Sequence, residues 1–453
     1  MADSKAFLSI ARKEAGYRPV HERVLDFSEV EQTLNEEDRI LQASRCMDCG
    51  VPFCHWNCPL GNHQSEWQDH VYKGEWLKAY ENLQLTDDFP EFTGRICPAL
   101  CEKGCVLSFT NQAVTIRENE VAIVEKAFAA GYVKPRIAEV KSGKRVAVIG
   151  SGPSGLAVAN QLSQRGHAVD VFEKNEVAGG LLRLGIPDFK LNKEVIERRL
   201  RLLEQQGVTF HYNTTVGEDI TAIVEEYDAV CLAIGSGVPR NLPAEGRDLQ
   251  GVYFALEFLQ HQNRATAART TVADDDPLSA HGKHVIVIGG GDTGSDCVGT
   301  AIRHGARSVT QVEIMPKPPV NYNPATPWPS YPMVLKTSSS HKEGCSRYWN
   351  IATNRFVGSD GKLTHLDVKH TDTGVDELMP ADMVLLAMGF VHPEGVIPEA
   401  LDLPLDGRQN IVSATGRDNV FVTGDATMGA SLVVRAIASG RQVATNIDKY
   451  LSL

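Results

Sequence analysis

Short apolar runs, each closed by a glycine, recur through the C-terminal two thirds of this chain. Residues 146–149 lead into Gly150, residues 227–234 into Gly235, 285–288 into Gly289, 381–388 into Gly389 and 420–423 into Gly424. Runs of this length, bounded by turn residues, read as strands buried on both faces of a parallel sheet. Between them the period changes. Residues 156–164, 193–206 and 296–304 carry apolar positions at helical spacing, and 168–172 and 308–314 read as further strands. Strand, helix and strand, met twice, predict an α/β organisation. The first third is different. Trp67, Val71, Trp76, Leu77 and Tyr80 follow a helical period, as does the stretch 111–133, and no strand pattern is evident there. An all-α N-terminal domain is expected, with these aromatics as core.

The glycines give the strand–helix units a chemistry. Gly150, Gly152 and Gly155 stand in G-x-G-x-x-G spacing, with Pro153 and Ser154 between them. Gly289, Gly291 and Gly294 repeat it, with Gly290, Asp292 and Thr293. The first glycine turns the strand, the second lets a pyrophosphate approach the backbone, and the third packs helix on strand. The helix start then offers free N–H groups to phosphate. Glu173 ends the second strand of the first unit, where a carboxylate accepts from a ribose hydroxyl. Two complete contexts predict two Rossmann-like domains and two dinucleotides. In the second unit Glu313 favours a free ribose hydroxyl, whereas Lys317 is the candidate for a phosphate contact. Residues 381–389 mirror 227–235 and close the second unit. Asp425 at the next strand end is placed to hold a ribitol hydroxyl, or to cap a helix. The second domain is thus expected inside the first: 1–143 helical, 144–281 and 391–453 the two parts of one nucleotide domain, 282–390 the insert. The crossing is placed near the polar stretch 261–282.

Seven of the ten cysteines lie between Cys46 and Cys105. Cys46, Cys49, Cys54 and Cys58 run C-x2-C-x4-C-x3-C with Pro59 behind, and Cys97, Cys101 and Cys105 follow later. Such uneven spacing suits iron–sulfur cubes of four ligands each, and the last cysteine of a run often serves the other cluster. The expected sets are Cys46, Cys49, Cys54 and Cys105, and Cys58, Cys97, Cys101 with one further residue. Two cubes need an eighth ligand, for which Glu120 is the candidate; its bland reading is an acid in a helical first turn. Structural zinc favours paired C-x2-C knuckles and fits poorly.

Composition narrows the rest. With 45 basic and 57 acidic residues the formal net charge is −12, which argues against a nucleic-acid partner. No apolar run is long enough for a bilayer, and the first residues lack a signal-peptide core, so the expected compartment is the cytoplasm without membrane contact. The excursion 316–345 is rich in proline and serine and reads as an ordered surface segment.

Taken together, RCMDCGVPFCHWNCPLGN, GRICPALCEKGC, VAVIGSGPSGLA, AGGLLRLGIPDFKL, VIVIGGGDTGSDC, EIMPKPP, TSSSHKEG and FVTGDA resemble the small (beta) subunits of NADPH-dependent glutamate synthases over nearly the whole chain. The cysteine and flavin portions are also similar to dihydropyrimidine dehydrogenase and to the large subunit of NADH-dependent ferredoxin:NADP oxidoreductase. The resemblance implies FAD in the first nucleotide domain, NADPH in the second, and two 4Fe-4S clusters with Glu120 as the non-cysteine ligand. It implies a hetero-oligomer with a large (alpha) subunit carrying FMN and a 3Fe-4S cluster, and reductive synthesis of L-glutamate from L-glutamine and 2-oxoglutarate. Candidate cofactor contacts are the residues named at the two glycine loops, together with Glu173, Gly180, Leu181, Lys190, Val216, Lys317, Met388, Gly389, Gly424 and Asp425. Relatives carry arginines after the second strand of the NADPH domain, where this chain has residues 314–317. Hydride transfer requires no general acid or nucleophile, so no catalytic side chain is expected. The alternative is a ferredoxin- or pyrimidine-type oxidoreductase built on the same electron-input module.

Overall fold

Two five-stranded sheets, all parallel, carry the C-terminal two thirds of the molecule. In the first, strand Arg145–Ile149 lies between Ala168–Phe172 and Ala229–Leu232, with Val208–His211 and Val420–Val422 at the edges. In the second, His284–Ile288 lies between Ser308–Val312 and Met383–Leu386, with Cys345–Tyr348 and Val252–Phe254 outside. The central strands are buried almost throughout, which is why they read as unbroken apolar runs. This computed structural model describes residues 5–321 and 323–452. Residues 1–4 of the expected helical domain, Tyr322 of the excursion and residue 453 lie outside the described residues.

The helices of the glycine units begin earlier than their apolar period does. They run Pro153–Gln164 and Asp292–Arg303, because the middle glycine of each loop is itself the N-cap. Pro153 occupies the first turn, where its missing N–H costs nothing. Helix Val433–Leu451 packs along Pro153–Gln164. A Cβ at Gly440 would lie 2.3 Å from the Ser154 carbonyl oxygen, so the two helices touch backbone to backbone.

The domain crossing differs from the expected 281/282 boundary. Strand Val252–Phe254 pairs with Met383–Leu386, and helix Ala255–Ala267 packs on the second sheet. The polar stretch 261–282 is therefore the end of a helix and the loop behind it. A strand of three residues is too short to register as an apolar run. The chain passes between the sheets along a two-stranded ribbon, Val238–Pro239 against Phe390–His392. A three-stranded antiparallel sheet, Ile351–Ser359, Lys362–His370 and Asp376–Pro380, covers one face of the second sheet through Phe356, Leu363, Leu366 and Val368.

The N-terminal third is helical. Gln64–Tyr72, Trp76–Leu83 and Ile116–Ala129 enclose Trp67, Val71, Leu83 and Ile123, all fully buried. Tyr80 is buried as its spacing predicts, but Leu77 points outward, 41% exposed. The first residues form a strap. Val30 N–H donates to the Phe189 carbonyl, and Arg23 pairs at 2.6 Å with Glu343, which also pairs with Arg303. Among the described residues no helix is long and apolar enough to cross a membrane.

Candidate cofactor-binding sites

At the first glycine loop each glycine has a separate steric reason. Gly150 has φ +101°, and a Cβ there would stand 2.5 Å from the Ala233 carbonyl oxygen. A Cβ at Gly155 would stand 2.1 Å from the Gly150 carbonyl oxygen. At Gly152 it would meet nothing within 4 Å, so that face of the loop is open. A Cβ at Gly180 would stand 2.8 Å from the Gly152 Cα, and Leu181 opens the short helix Leu181–Leu184 behind it. Gly424 closes from the other side. With φ +67° it leaves 2.5 Å between a built Cβ and Ser154 Oγ, which brings Asp425 beside the loop. Ser431 Oγ donates to Asp425 at 2.7 Å, and burial raises that carboxyl above its ordinary value.

Glu173 is 4% exposed and fully engaged. Its Oε2 accepts from Ser151 N–H and Oγ, and its Oε1 from Asn175 N–H at 2.9 Å and Nδ2 at 2.6 Å. Val216 packs near Phe172 on the same side of the sheet. The Lys190 ammonium is paired with Asp296 at 2.5 Å, joining the first unit to the helix of the second.

The second loop repeats the steric pattern. A Cβ at Gly289, φ +124°, would stand 2.2 Å from the Ala387 carbonyl oxygen, Gly291 is open, and a Cβ at Gly294 would stand 2.3 Å from the Gly289 carbonyl oxygen. Asp292 and Thr293 begin the helix, and Met388 and Gly389 leave the strand beside Gly289. A chain of hydrogen bonds supports this loop from behind. Gln311 Nε2 donates to the Gly289 carbonyl at 2.8 Å, and Gln311 Oε1 contacts His341 Nε2 at 2.8 Å. His341 in turn meets Ser338 through Nδ1, and Ser338 Oγ meets Ser295 Oγ at 2.6 Å. Burial pushes His341 down to about 4. The serines and histidine of the 337–341 stretch thus brace the glycine loop, a role their sequence did not announce.

The cysteines are brought together by short helices that end on them. Cys58, Cys97 and Cys105 are the residues immediately after helices Phe53–Asn57, Pro90–Ile96 and Leu100–Gly104. Gly104 lets the third loop close on Asn57, and Gly94 lets Pro90–Ile96 lie on Val121. That second contact sets Glu120 beside Cys97. Cys46, Cys49, Cys54 and Cys105 line one cavity with Phe53 and Leu107. Burial raises all four thiols, Cys46 to about 12, and their mutual charges add to this. The second group is Cys58, Cys97, Cys101 and Glu120. Burial pushes Cys58 and Cys97 up to about 12 and holds Cys101 well above its ordinary value, and the Glu120 charge acts on all three. Glu120 is itself raised by burial and by Asp87. The Thr93 hydroxyl lies 2.6 Å from Glu120 and 2.8 Å from Asp87; it has one proton to donate, so without a cation one of the two acids must hold a proton. Among the described residues no three His, Cys, Asp or Glu side chains draw in tightly enough for a single metal ion. The donor chemistry, thiolates around a space larger than one ion, fits iron–sulfur cubes.

The residues flanking the second group, Leu60 and Ile96, pack on the hydrophobic core of the first nucleotide unit, together with Phe89 and Phe92. The first group has no cavity-lining residue in that core. Beside it Phe53 and Phe109 hold Trp328 of the excursion, at 4.5 and 4.7 Å between ring centres, and Asn57 Nδ2 donates to the Pro329 carbonyl.

Comparison with known proteins fits this arrangement. A family model for pyridine nucleotide-disulphide oxidoreductases matches residues 144–440, and one for dihydropyrimidine dehydrogenase domain II, 4Fe-4S cluster, matches residues 23–132. The glutamate synthase [NADPH] small chain of Mycobacterium tuberculosis (strain CDC 1551 / Oshkosh) is 46% identical over 471 residues, covering 100% of this chain and 96% of its own length. The chain belongs to the glutamate synthase small-chain family. The Bacillus subtilis (strain 168) member is 40% identical over 100% of this chain and 99% of its own. Schizosaccharomyces pombe glutamate synthase [NADH] matches at 40% over 98% of this chain, which corresponds to only 22% of that longer protein. Like other members of the family, the chain is an oxidoreductase that joins a 4Fe-4S domain to a pyridine-nucleotide domain. Among solved structures, Mycobacterium tuberculosis FprA in complex with NADPH superposes with a TM-score of 0.52 at 19% identity, over 68% of this chain and 85% of that one. A 2-naphthoyl-CoA reductase gives 0.52 at 20% identity, over 85% of this chain and 52% of that one. Both show the fold.

Sequence reasoning missed three residues near these loops. Asp296 was read only as helix, and Arg347 and Trp349 lay in a stretch with no assignment. Asp296 meets Lys190 of the first unit, Arg347 meets Glu313, and Trp349 meets Arg347 and Lys317, contacts that no local spacing marks.

Proposed function

We propose that this chain is the electron-input subunit of an NADPH-dependent glutamate synthase. The observation that carries the reading is that two open glycine loops and two groups of thiols share one chain, with the residues that flank the Cys58–Cys97–Cys101–Glu120 group packed on the core of the first nucleotide unit. Gly150, Gly152, Pro153, Ser154 and Gly155 would cradle the FAD pyrophosphate, Glu173 would take a ribose hydroxyl in place of one of its Ser151 or Asn175 donors, and Gly180, Leu181, Lys190, Val216, Gly424 and Asp425 would hold the remainder. Gly289 to Thr293, with Lys317, Met388 and Gly389, would hold NADPH. When bound, FAD supplies the exchange of a hydride for single electrons, and two 4Fe-4S clusters supply the onward path.

The chain's own residues do the placing. The loop N–H groups and helix starts face phosphate. The Lys190–Asp296 pair joins the two nucleotide units directly, and the N-terminal segment bridges them, with Arg23 on Glu343 of the second unit and Val30 on Phe189 of the first. The burial that raises the thiols also keeps water from their sulfurs. Electrons would leave to FMN and a 3Fe-4S cluster on a large (alpha) subunit, where L-glutamate is formed from L-glutamine and 2-oxoglutarate. That the Schizosaccharomyces pombe relative carries the matching segment within a much longer chain supports such a partner.

The test is an anaerobic preparation with iron and flavin counts, followed by NADPH titration. About eight iron atoms and one FAD per chain are expected. With the large subunit added, glutamine plus 2-oxoglutarate should drive NADPH oxidation. A preparation with no flavin and no iron defeats the proposal. The match of residues 23–132 to a dihydropyrimidine dehydrogenase domain keeps a pyrimidine- or ferredoxin-type acceptor as the second reading. NADPH oxidation driven by such an acceptor, and not by glutamine plus 2-oxoglutarate, would select it.

A further inference from the structure

The second nucleotide unit presents a contradiction. Glu313 follows strand Ser308–Val312, the place from which an acid favours a free ribose hydroxyl and repels a phosphate. The carboxylate lies directly over the loop, since a Cβ at Gly290 would fall 2.0 Å from Glu313 Cδ. An acid so placed, acting alone, would select against a 2′-phosphate.

It does not act alone. Strand Cys345–Tyr348 pairs in parallel with Ser308–Val312, with Gln311 opposite Arg347. This register delivers Arg347 to the same edge. Its Nη2 lies 3.6 Å from Glu313 Oε1, its Nη1 donates to the Lys336 carbonyl at 2.9 Å, and its Nε is buried without a partner. The side chain is 13% exposed. The Arg347 guanidinium and the Lys317 ammonium each stand 5.0 Å from the centre of the Trp349 ring. Trp349 Nε1 is a second buried donor without an acceptor.

Two cations against one acid leave a net charge of about +1 at this edge. Buried donors normally find acceptors, so two unpaired N–H groups on neighbouring side chains point to an acceptor-rich ligand. A planar guanidinium, a lysine point charge and an indole N–H together match a phosphate monoester. We infer that Arg347, with Trp349 Nε1 and Lys317, forms the subsite for the adenosine 2′-phosphate of the nucleotide in the second unit. Arg347 neutralises Glu313 and presents its remaining donors to the phosphate. The inference rests on the reading that this unit binds a pyridine dinucleotide. It replaces a lone Lys317 contact with a three-residue subsite. It also accounts for phosphate recognition where this chain has no arginine directly after the strand.

The test is calorimetric titration of the flavin- and iron-loaded chain with NADP⁺, NAD⁺ and 2′,5′-ADP. Wild-type protein should bind NADP⁺ more tightly than NAD⁺. Arg347→Gln should weaken NADP⁺ and 2′,5′-ADP by about 10–100-fold, the range for losing a charge-assisted contact, and leave NAD⁺ within about twofold. Arg347→Lys should fall between, because it keeps the charge and loses the fork. Lys317→Met, an exposed change that cannot disturb the core, should weaken NADP⁺ by about 3–10-fold. Unchanged NAD⁺ affinity shows that the variants are folded. An unaltered ratio of NADP⁺ to NAD⁺ affinity in Arg347→Gln, or equal loss of both, overturns the subsite and leaves the dinucleotide reading intact. Wild-type protein that binds neither nucleotide overturns the dinucleotide reading itself.

Discussion

The two glycine units are the same device in the backbone and different devices at the ribose. In both, the first glycine sits at positive φ under a carbonyl of the neighbouring strand, the second faces open space, and the third lies against the first one's carbonyl oxygen. Distances agree within a few tenths of an ångström. The acids that follow do not agree. Glu173 is enclosed by donors from its own unit, Ser151 and Asn175, only a few residues from the loop or the strand end. Glu313 meets a cation from another strand, brought in by sheet pairing. The pyrophosphate cradle is thus a local property, whereas the surroundings of the ribose depend on which distant segment lies alongside.

The most severe break should come from the shared part. Gly155→Ala and Gly294→Ala each force a Cβ onto a backbone oxygen, which cannot move aside. A cost of roughly 3 kcal/mol and loss of the bound nucleotide are expected, read as melting temperature and flavin content. Gly152→Ala and Gly291→Ala have room, so the fold should survive and nucleotide affinity alone should drop. Equal melting of all four variants would refute this division.

The acids should then separate the units. Glu173→Gln replaces an acceptor with a donor facing either Ser151 or Asn175, inside a site 4% exposed. About 1.5–3 kcal/mol of stability should be lost, with FAD retention falling in parallel. Glu313→Gln removes a looser, more exposed pair and should cost less than about 1 kcal/mol. It should leave NADP⁺ affinity no weaker, and raise it if anything, measured by titration.

Acid should divide them again. Burial pushes both His304 and His341 down to about 4, and both belong to the second unit. Unfolded, these rings take up a proton near pH 6.5; folded, they resist until about pH 4. Their contribution is therefore complete above about pH 6.5 and is lost as pH falls toward 4. Limited proteolysis across this range should open the second unit before the first. A last effect concerns the excursion, which the second unit sends to the cysteine domain. Trp328→Ala removes the contacts with Phe53 and Phe109 and should cost about 1 kcal/mol without changing flavin content.

Much of this was readable along the chain. Apolar runs that end in glycine located the central strands, because a strand buried on both faces has no polar alternation to hide it. The expected separation of Cys46, Cys49, Cys54 and Cys105 from Cys58, Cys97, Cys101 and Glu120 followed from a count of ligands and from resemblance, and the folded chain groups the same side chains. Val252–Phe254 was not readable, since three residues make no pattern. Nor was the antiparallel sheet over 351–380 assigned. Its Leu363, Leu366 and Val368 are buried by a neighbouring sheet and not by any periodicity of their own.

The sequence by itself determined the two glycine loops, the thiol inventory and the helical character of the first third. Each depends on residues close together in the chain, where steric demand and spacing act directly. Only the tertiary structure decided where the chain crosses between sheets, that Lys190 pairs with Asp296, that Arg23 ties the N-terminal segment to the second unit, and that Arg347 answers Glu313. Those contacts join residues far apart in the chain, and no local signal specifies which strand edge will lie beside which. The physical reason is that strand register and sheet order are settled by the packing of whole apolar faces, and the charged partners arrive with them.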